Sequence, residues 1–219
     1  MITQRIVLSE VDEKTLRKIQ SNLKKLGYYN DRIDGIYGRN TGEGFAKWKA
    51  DNWIAETTYI GVESFNQLQQ QADAVKTIDW TDFTCKISQY FTVGEVAQGL
   101  TNDGRFVQYR ERLPKNDVVK NNALRLATEL DKVREDWGGA LAVTSWYRPS
   151  AVNKRVGGAS KSQHLNGSAV DILPLGGDVI KFQKWLDKRW DMALGYGAVK
   201  KGFVHLDLRN PGQRIRWNY

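Results

Sequence analysis

Cysteine and histidine are the scarce residues of this chain: its 219 residues include one cysteine, Cys85, and two histidines, His164 and His205. A single cysteine excludes an intramolecular disulfide and a multi-cysteine zinc site, and Cys85 is expected as a buried apolar residue. Long apolar runs are missing as well. No stretch approaches the roughly 18 residues of a membrane span, so stable membrane insertion is not expected. The opening stretch, MITQRIVLSEVDEK, has no basic head followed by an apolar segment and a small-residue cleavage site. No ordinary secretion signal is therefore expected, and a protein made in the cytoplasm would need another route to act outside it.

Charge is plentiful. Lysine and arginine total 33 against 25 acidic residues, a formal net charge of +8. Such a balance favours an anionic partner: nucleic acid, a lipid surface or a bacterial wall. The basic residues are spread along the chain and form no recognisable binding motif, so nucleic acid is not the expected partner. The length admits two modest domains. From Glu13 to Ala74 the chain reads as three short helices. Leu16, Ile19, Leu23 and Leu26 make one apolar face before Gly27 stops the first; Phe45 and Trp48 lie one turn apart in the second; Val62, Phe65 and Leu68 mark the third, over about 61–74.

The segment LRKIQSNLKKLGYYNDRIDGIYGRNTGEGFAKWK, with its Leu-Gly-Tyr-Tyr helix end, the run Asp34 to Gly38 and Thr41 opening the next helix, resembles the peptidoglycan-binding domain of bacterial cell-wall hydrolases over roughly residues 13–72. The turn usual before the third helix is reduced here to Tyr59-Ile60-Gly61. Residues from Asp73 to Asp82 hold few apolar anchors and are expected to link this unit, residues 1–76, to a second one, residues 77–219. In the second unit, Val119, Ala123, Leu126, Leu130, Val133 and Trp137 form one stripe of a helix from Asp117 to Trp137, capped by Asn116 or Asp117. Short β-like runs follow at Leu141 to Ser145, Ser168 to Leu173 and Phe203 to Leu208, with an amphipathic helix from Asp178 to Trp190 between the last two. The fold class expected is α+β, with a central antiparallel sheet.

Both histidines stand near acids: His164 is followed by Asp171, and His205 by Asp207. Two histidines and a carboxylate make a common catalytic zinc set, which leaves one tetrahedral position for a water whose pKa the metal lowers to roughly 7. If the second and third runs are neighbouring strands, period-2 alternation turns Asp171 and His205 to one face while Ile172, Leu206 and Leu208 point away. Spacing alone leaves the metal reading and an ordinary surface histidine both open.

The wider text, VTSWYRPSAVNKRVGGASKSQHLNGSAVDI and then GYGAVKKGFVHLDLR, closely resembles the zinc D-Ala-D-Ala carboxypeptidase and murein endopeptidase family, whose fold is shared with VanX-type dipeptidases and the hedgehog signalling domain. The likeness runs from about Ile87 to Arg209 and includes Ser162, His164, Gly167, Ala169 and Asp171 at the family's pattern. It implies a Zn2+ ion held by His164, Asp171 and His205, with Arg148 facing the substrate. A guanidinium there suits a peptide carboxylate or the oxyanion of a tetrahedral intermediate. Ser162 and Gln163 either act at the site or brace its loop.

Several members of that family carry an acid three residues before the last histidine, where this chain has Gly202. Asp207 shares a strand face with His205, so it is a candidate general base, or alternatively a residue that orients His205 or pairs with Arg209. The resemblance implies a zinc peptidase cutting stem or cross-link peptides of peptidoglycan, tethered by the first unit. With no signal sequence, it suggests a bacteriophage endolysin released through a holin, or a lysin carried on the virion. The alternative is a non-catalytic wall-binding or virion structural protein that keeps the fold.

Overall fold

The computed structural model describes residues 2–209 and 212–219, apart from the side chains of residues 76 and 77. The chain divides into two compact units, residues 1–77 and 78–219.

In the first unit, β1 (Ile6–Val7) pairs antiparallel with β2 (Tyr59–Ile60), and three helices follow from the apolar spacing: α1 (Glu13–Lys25), α2 (Arg39–Asp51) and α3 (Val62–Thr77). Asp12 caps α1 by accepting from the Thr15 amide, and Gly27 leaves it in the left-handed region at φ 79°. Leu16, Ile19, Leu23, Phe45, Trp48 and Leu68 are buried together as expected. Three details differ from the sequence reading. The turn at Tyr59-Ile60 is a strand, because Ile60 is fully buried and its backbone finds Ile6. Helix α2 begins at Arg39, not at Thr41. Helix α3 runs on to Thr77 through what was expected to be linker, since Val75 is buried against the unit.

One buried side chain organises the Asp34-Gly35 turn. Gln20, on α1, donates to Asp34 Oδ1, the Ile36 carbonyl and Thr41 Oγ1, and its own carbonyl accepts from the Gly35 amide at 2.8 Å. Gly35 sits at φ 72°, and an added Cβ would stand 2.7 Å from the Glu13 carbonyl oxygen. Only glycine fits there.

The second unit is α+β. Its elements are α4 (Val93–Val96), β3 (Gln98–Leu100), β4 (Phe106–Gln108), α5 (Asp117–Trp137), β5 (Leu141–Ser145), α6 (Ser150–Arg155), β6 (Ala169–Pro174), α7 (Val179–Arg189), β7 (Ala193–Tyr196), α8 (Ala198–Lys201), β8 (Val204–Asp207) and β9 (Arg216–Asn218). The strands form one seven-stranded sheet in the order β4-β3-β5-β6-β8-β7-β9, antiparallel throughout except for the parallel edge pair β7 and β9. Asn116 caps α5 through the Val119 amide, and Gly138 ends it at φ 73°.

Alternation gives the sheet two unlike faces. Val170, Ile172, Val204 and Leu206 pack in one core with Ala123, Leu126 and Leu130 of α5 and Phe182 and Leu186 of α7. Each of the buried valine, leucine, isoleucine and phenylalanine side chains among them stabilises the unit by about 1.5–3 kcal/mol relative to exposure. The intervening residues Asp171, His205 and Asp207 point the other way. Cys85, expected to be buried, is instead half-buried at the core's edge, where its thiol faces the Lys86 carbonyl. Among the described residues no helix is long and apolar enough to cross a membrane.

Candidate metal centre

The sheet register builds the site. Asp171 on β6 and His205 on β8 are directly opposed across the ladder, and His205 Nδ1 lies 2.8 Å from Asp171 Oδ1. His164 comes from a single 3-10 turn, Gln163–Asn166, whose N-terminal Ser162 hydroxyl accepts from the His164 amide. Its Nε2 stands 3.3 Å from the same Asp171 oxygen and 3.2 Å from His205 Nδ1. Gln163 braces the turn through Asn166 and Ser168 and does not bond either histidine. Gly167 closes the turn at φ 78°, where a Cβ would come within 2.9 Å of the Val119 carbonyl.

The outer nitrogens fix both tautomers. His164 Nδ1 lies 2.6 Å from the Trp146 carbonyl, which only accepts, so that nitrogen carries the proton. His205 Nε2 lies 3.1 Å from Asp207 Oδ2 and donates to it in the same way. Both inward nitrogens then present lone pairs to a carboxylate oxygen. That arrangement is repulsive unless a positive charge sits among the three donors, which lie within 4.8 Å of one another. A metal cation supplies it, so the residues present fit a metal.

The electrostatics of the protein alone agree. Burial lowers the His164 pKa, with Asp171 opposing it. For His205 burial also acts downward, but the bonds to Asp171 and Asp207 outweigh it and hold the pKa above the ordinary value. Burial pushes Asp171 up, yet the two histidines win and keep it well below the usual carboxylate range. The group is thus built to keep a carboxylate and a positive charge together in a dry place.

Arg148 follows β5, its amide donating to the His164 carbonyl at 3.0 Å and its Nη1 standing 3.6 Å from Asp171 Oδ2. The β5 strand bulges between Val143 and Ser145 just before it, which re-aims the chain toward the site. Asp207 is fully buried, bonded through Oδ2 to His205 and through both oxygens to the Arg209 guanidinium. All five residues singled out from the sequence, His164, Asp171, His205, Arg148 and Asp207, line one cleft of about 800 Å³.

Three further residues of this cleft escaped the sequence reading. Trp217 packs its ring 5.2 Å from the His205 ring, Tyr219 lies 6.1 Å from it, and Arg112 reaches in from the turn after β4. The alternation Arg216-Trp217-Asn218-Tyr219 carried a period-2 signal for the first two. Arg112 carried none, because its seat is made by residues distant in sequence.

A model of the Peptidase M15 family matches residues 91–207, more than half of the chain, and spans all three metal-binding candidates. No curated protein matches the chain. With a buried His-Asp-His group of the right chemistry inside the matched region, the chain belongs to the Peptidase M15 family of metallopeptidases.

Proposed function

We propose that residues 78–219 form a zinc peptidase that hydrolyses stem or cross-link peptides of bacterial peptidoglycan, and that residues 1–77 hold it to the wall as an endolysin or a virion-borne lysin. The observation that carries the reading is the convergence of His164 Nε2, Asp171 Oδ1 and His205 Nδ1 with both outer imidazole protons committed elsewhere. Two nitrogens and one carboxylate oxygen suit Zn2+, and three protein ligands leave a position for water or substrate, as catalytic zinc sites do. Bound zinc would activate water and polarise the scissile carbonyl.

The chain's own residues supply the rest. Arg148, largely buried beside Asp171, offers a permanent positive charge for the oxyanion that develops on the substrate. Asp207 braces His205, keeping its Nδ1 free for the metal, and Arg209 keeps Asp207 ionised. Trp217 packs edge-on against the His205 ring at 5.2 Å, limiting its rotation. Tethering by the first unit raises the local concentration of wall peptides.

Bound zinc per chain, loss of turbidity of purified cell walls and mass spectrometry of the released muropeptides test this reading together. Stoichiometric zinc with newly cut peptides is expected, and the mass of the fragments identifies the bond. A chain that binds walls without zinc or cleavage would instead be a structural wall-binding protein.

A further inference from the structure

Four strands of the sheet carry one aligned row of residues: Asp171 on β6 opposes His205 on β8, His205 opposes Gly195 on β7, and Gly195 stands beside Trp217 on β9. Gly195 is the gap in that row. It lies within a strand and outside the left-handed region, so its backbone does not call for glycine. The space does: an added Cβ would stand 2.7 Å from Tyr219 Cε2 and 2.8 Å from Trp217 Cζ2. The missing side chain lets both rings fold back across β7 toward His205, with ring centres 5.2 Å and 6.1 Å from it for Trp217 and Tyr219.

The two rings differ in what they leave uncommitted. Trp217 is engaged by the His205 ring and by the Arg209 guanidinium, 5.2 Å from its centre. Tyr219 is fixed by its ring and its backbone: Phe203 meets the ring edge-on at 5.7 Å, and Lys200 Nζ donates to its carbonyl at 3.0 Å. Its hydroxyl makes no hydrogen bond among the described residues, and the side chain stays 36% exposed on the cleft wall. The charges that act on the phenol are those of the metal centre: burial and then Asp171 hold its pKa above the ordinary value, with Arg148 opposing, so at neutral pH it keeps its proton and is a donor. Arg148 feels the phenol in turn, from the β5 side of the centre. A guanidinium and a phenol thus flank His164, Asp171 and His205 from opposite sides.

We infer that Tyr219 is a further catalytic residue, its hydroxyl donating a hydrogen bond to the scissile carbonyl oxygen as that oxygen becomes an oxyanion, and that Gly195 is the residue that lets it reach there. This role rests on the peptidase reading and adds to it a neutral donor opposite Arg148. No proton passes through Tyr219. The bond it makes is stronger to the oxyanion than to the ground-state carbonyl, so it lowers the barrier and leaves substrate affinity nearly unchanged. Phe203 and Lys200 hold the ring beforehand, which spares the reaction the cost of ordering it.

Tyr219→Phe in the full zinc-bound chain tests this, because the ring contacts remain and only the hydroxyl goes. Turnover and KM are read on purified muropeptides, and calorimetry reads the affinity of two phosphinic dipeptides, isosteres of D-alanyl-D-alanine and L-alanyl-D-glutamate, whose tetrahedral phosphinate stands in for the intermediate. The loss of one such donor is expected to lower kcat by about 100-fold with KM changed less than about 2-fold. The better-bound phosphinate should weaken by about 10-fold or more, with bound zinc unchanged. Gly195→Ala, which displaces both rings, should lower kcat in the same way while keeping its zinc; wild-type turnover there overturns the part given to Gly195. Unchanged kcat and phosphinate affinity in Tyr219→Phe, a raised KM with kcat intact, or loss of zinc each overturn the donor role, the second by making Tyr219 a plain wall of the cleft and the third by making it a support of the metal. A zinc-bound wild type that cuts no muropeptide and binds neither phosphinate overturns the peptidase reading and this role together, whereas a wild type that cuts, matched by Tyr219→Phe, overturns this role alone.

Discussion

Asp171 and His205 face each other across two central antiparallel strands, 2.8 Å apart, and each is held from a second side: the Asp171 carboxylate also meets His164 Nε2 at 3.3 Å and Arg148 Nη1 at 3.6 Å, and the His205 ring is bonded to Asp207 and packed against Trp217. The metal-binding geometry is thus a property of the sheet register, set before any ion arrives. His205→Ala is expected to abolish both bound zinc and hydrolysis, while circular dichroism changes little, because the apolar face of β8 still packs on α5 and α7. Metal analysis of the purified variant checks this, and full zinc occupancy there would remove His205 from the ligand set.

Gly167 and Gly176 separate strain from collision. Both have positive φ, 78° and 68°, but an added Cβ meets the Val119 backbone at the first and nothing within 4 Å at the second. Gly176→Ala should cost about 1–2 kcal/mol, the left-handed penalty alone. Gly167→Ala should cost more and also displace the turn that carries His164, lowering zinc affinity. Denaturant titration and zinc competition on the two variants read both effects, and equal losses would show that the contact with Val119 relaxes freely.

Where the sequence was legible, a single period or a single cap decided the outcome. The α5 stripe, capped by Asn116 and stopped by Gly138, lies where spacing puts it, and the β6 and β8 runs present Asp171 and His205 together because pleating permits nothing else. What escaped was made of short or distant pieces. Strands β3 and β4 have only three residues each, too few to show a period. The seat of Arg112 joins Gly99, Tyr109 and Gln98 through hairpin closure, and the Gln20 hub depends on a turn 14 residues away; neither leaves a trace in local pattern.

Removal of the first unit is expected to divide two activities. A protein beginning at Ile78 should still cleave small soluble muropeptides, since the whole cleft lies in residues 78–219, but lose efficiency on intact sacculi. Rates on both substrates, compared with the full chain, check it. Equal rates on sacculi would make residues 1–77 an adaptor with no part in wall binding.

Asp187 gives the second unit a defined acid sensitivity. The Arg216 guanidinium, 2.6 Å away, and the Tyr196 hydroxyl hold its pKa below the ordinary value, with burial opposing them. A depressed carboxylate contributes stability that is present above its unfolded pKa of about 3.9 and lost as pH falls through the folded value. The melting temperature of Asp187→Asn should therefore lie below wild type at pH 7, with the gap closing below about pH 4. A gap that does not narrow as the pH falls below about 4 would assign the loss to hydrogen-bond geometry and not to charge.

Asp207 offers the sharpest test, because its two roles predict opposite measurements. As a brace, it accepts the His205 Nε2 proton and leaves Nδ1 for zinc; Asp207→Asn can present an amide N–H to that nitrogen and so favour the wrong tautomer. Metal affinity should then drop by roughly 10–100-fold, with turnover restored by excess zinc. As a general base, it would have to give up its bonds to His205 and Arg209 to reach a water, and Asp207→Asn would keep its zinc while turnover fell by about 100-fold or more. The contacts favour the brace: Oδ2 is shared between His205 at 3.1 Å and Arg209 at 2.8 Å, and Oδ1 accepts both the Arg209 amide and its Nε at 2.9 Å. A carboxylate so fully engaged, with its pKa lowered by those same partners against the effect of burial, is a poor proton acceptor. One zinc titration of turnover in the Asn variant decides between them: recovery to near wild-type rates is expected, and a saturated but inactive enzyme would return the base to Asp207.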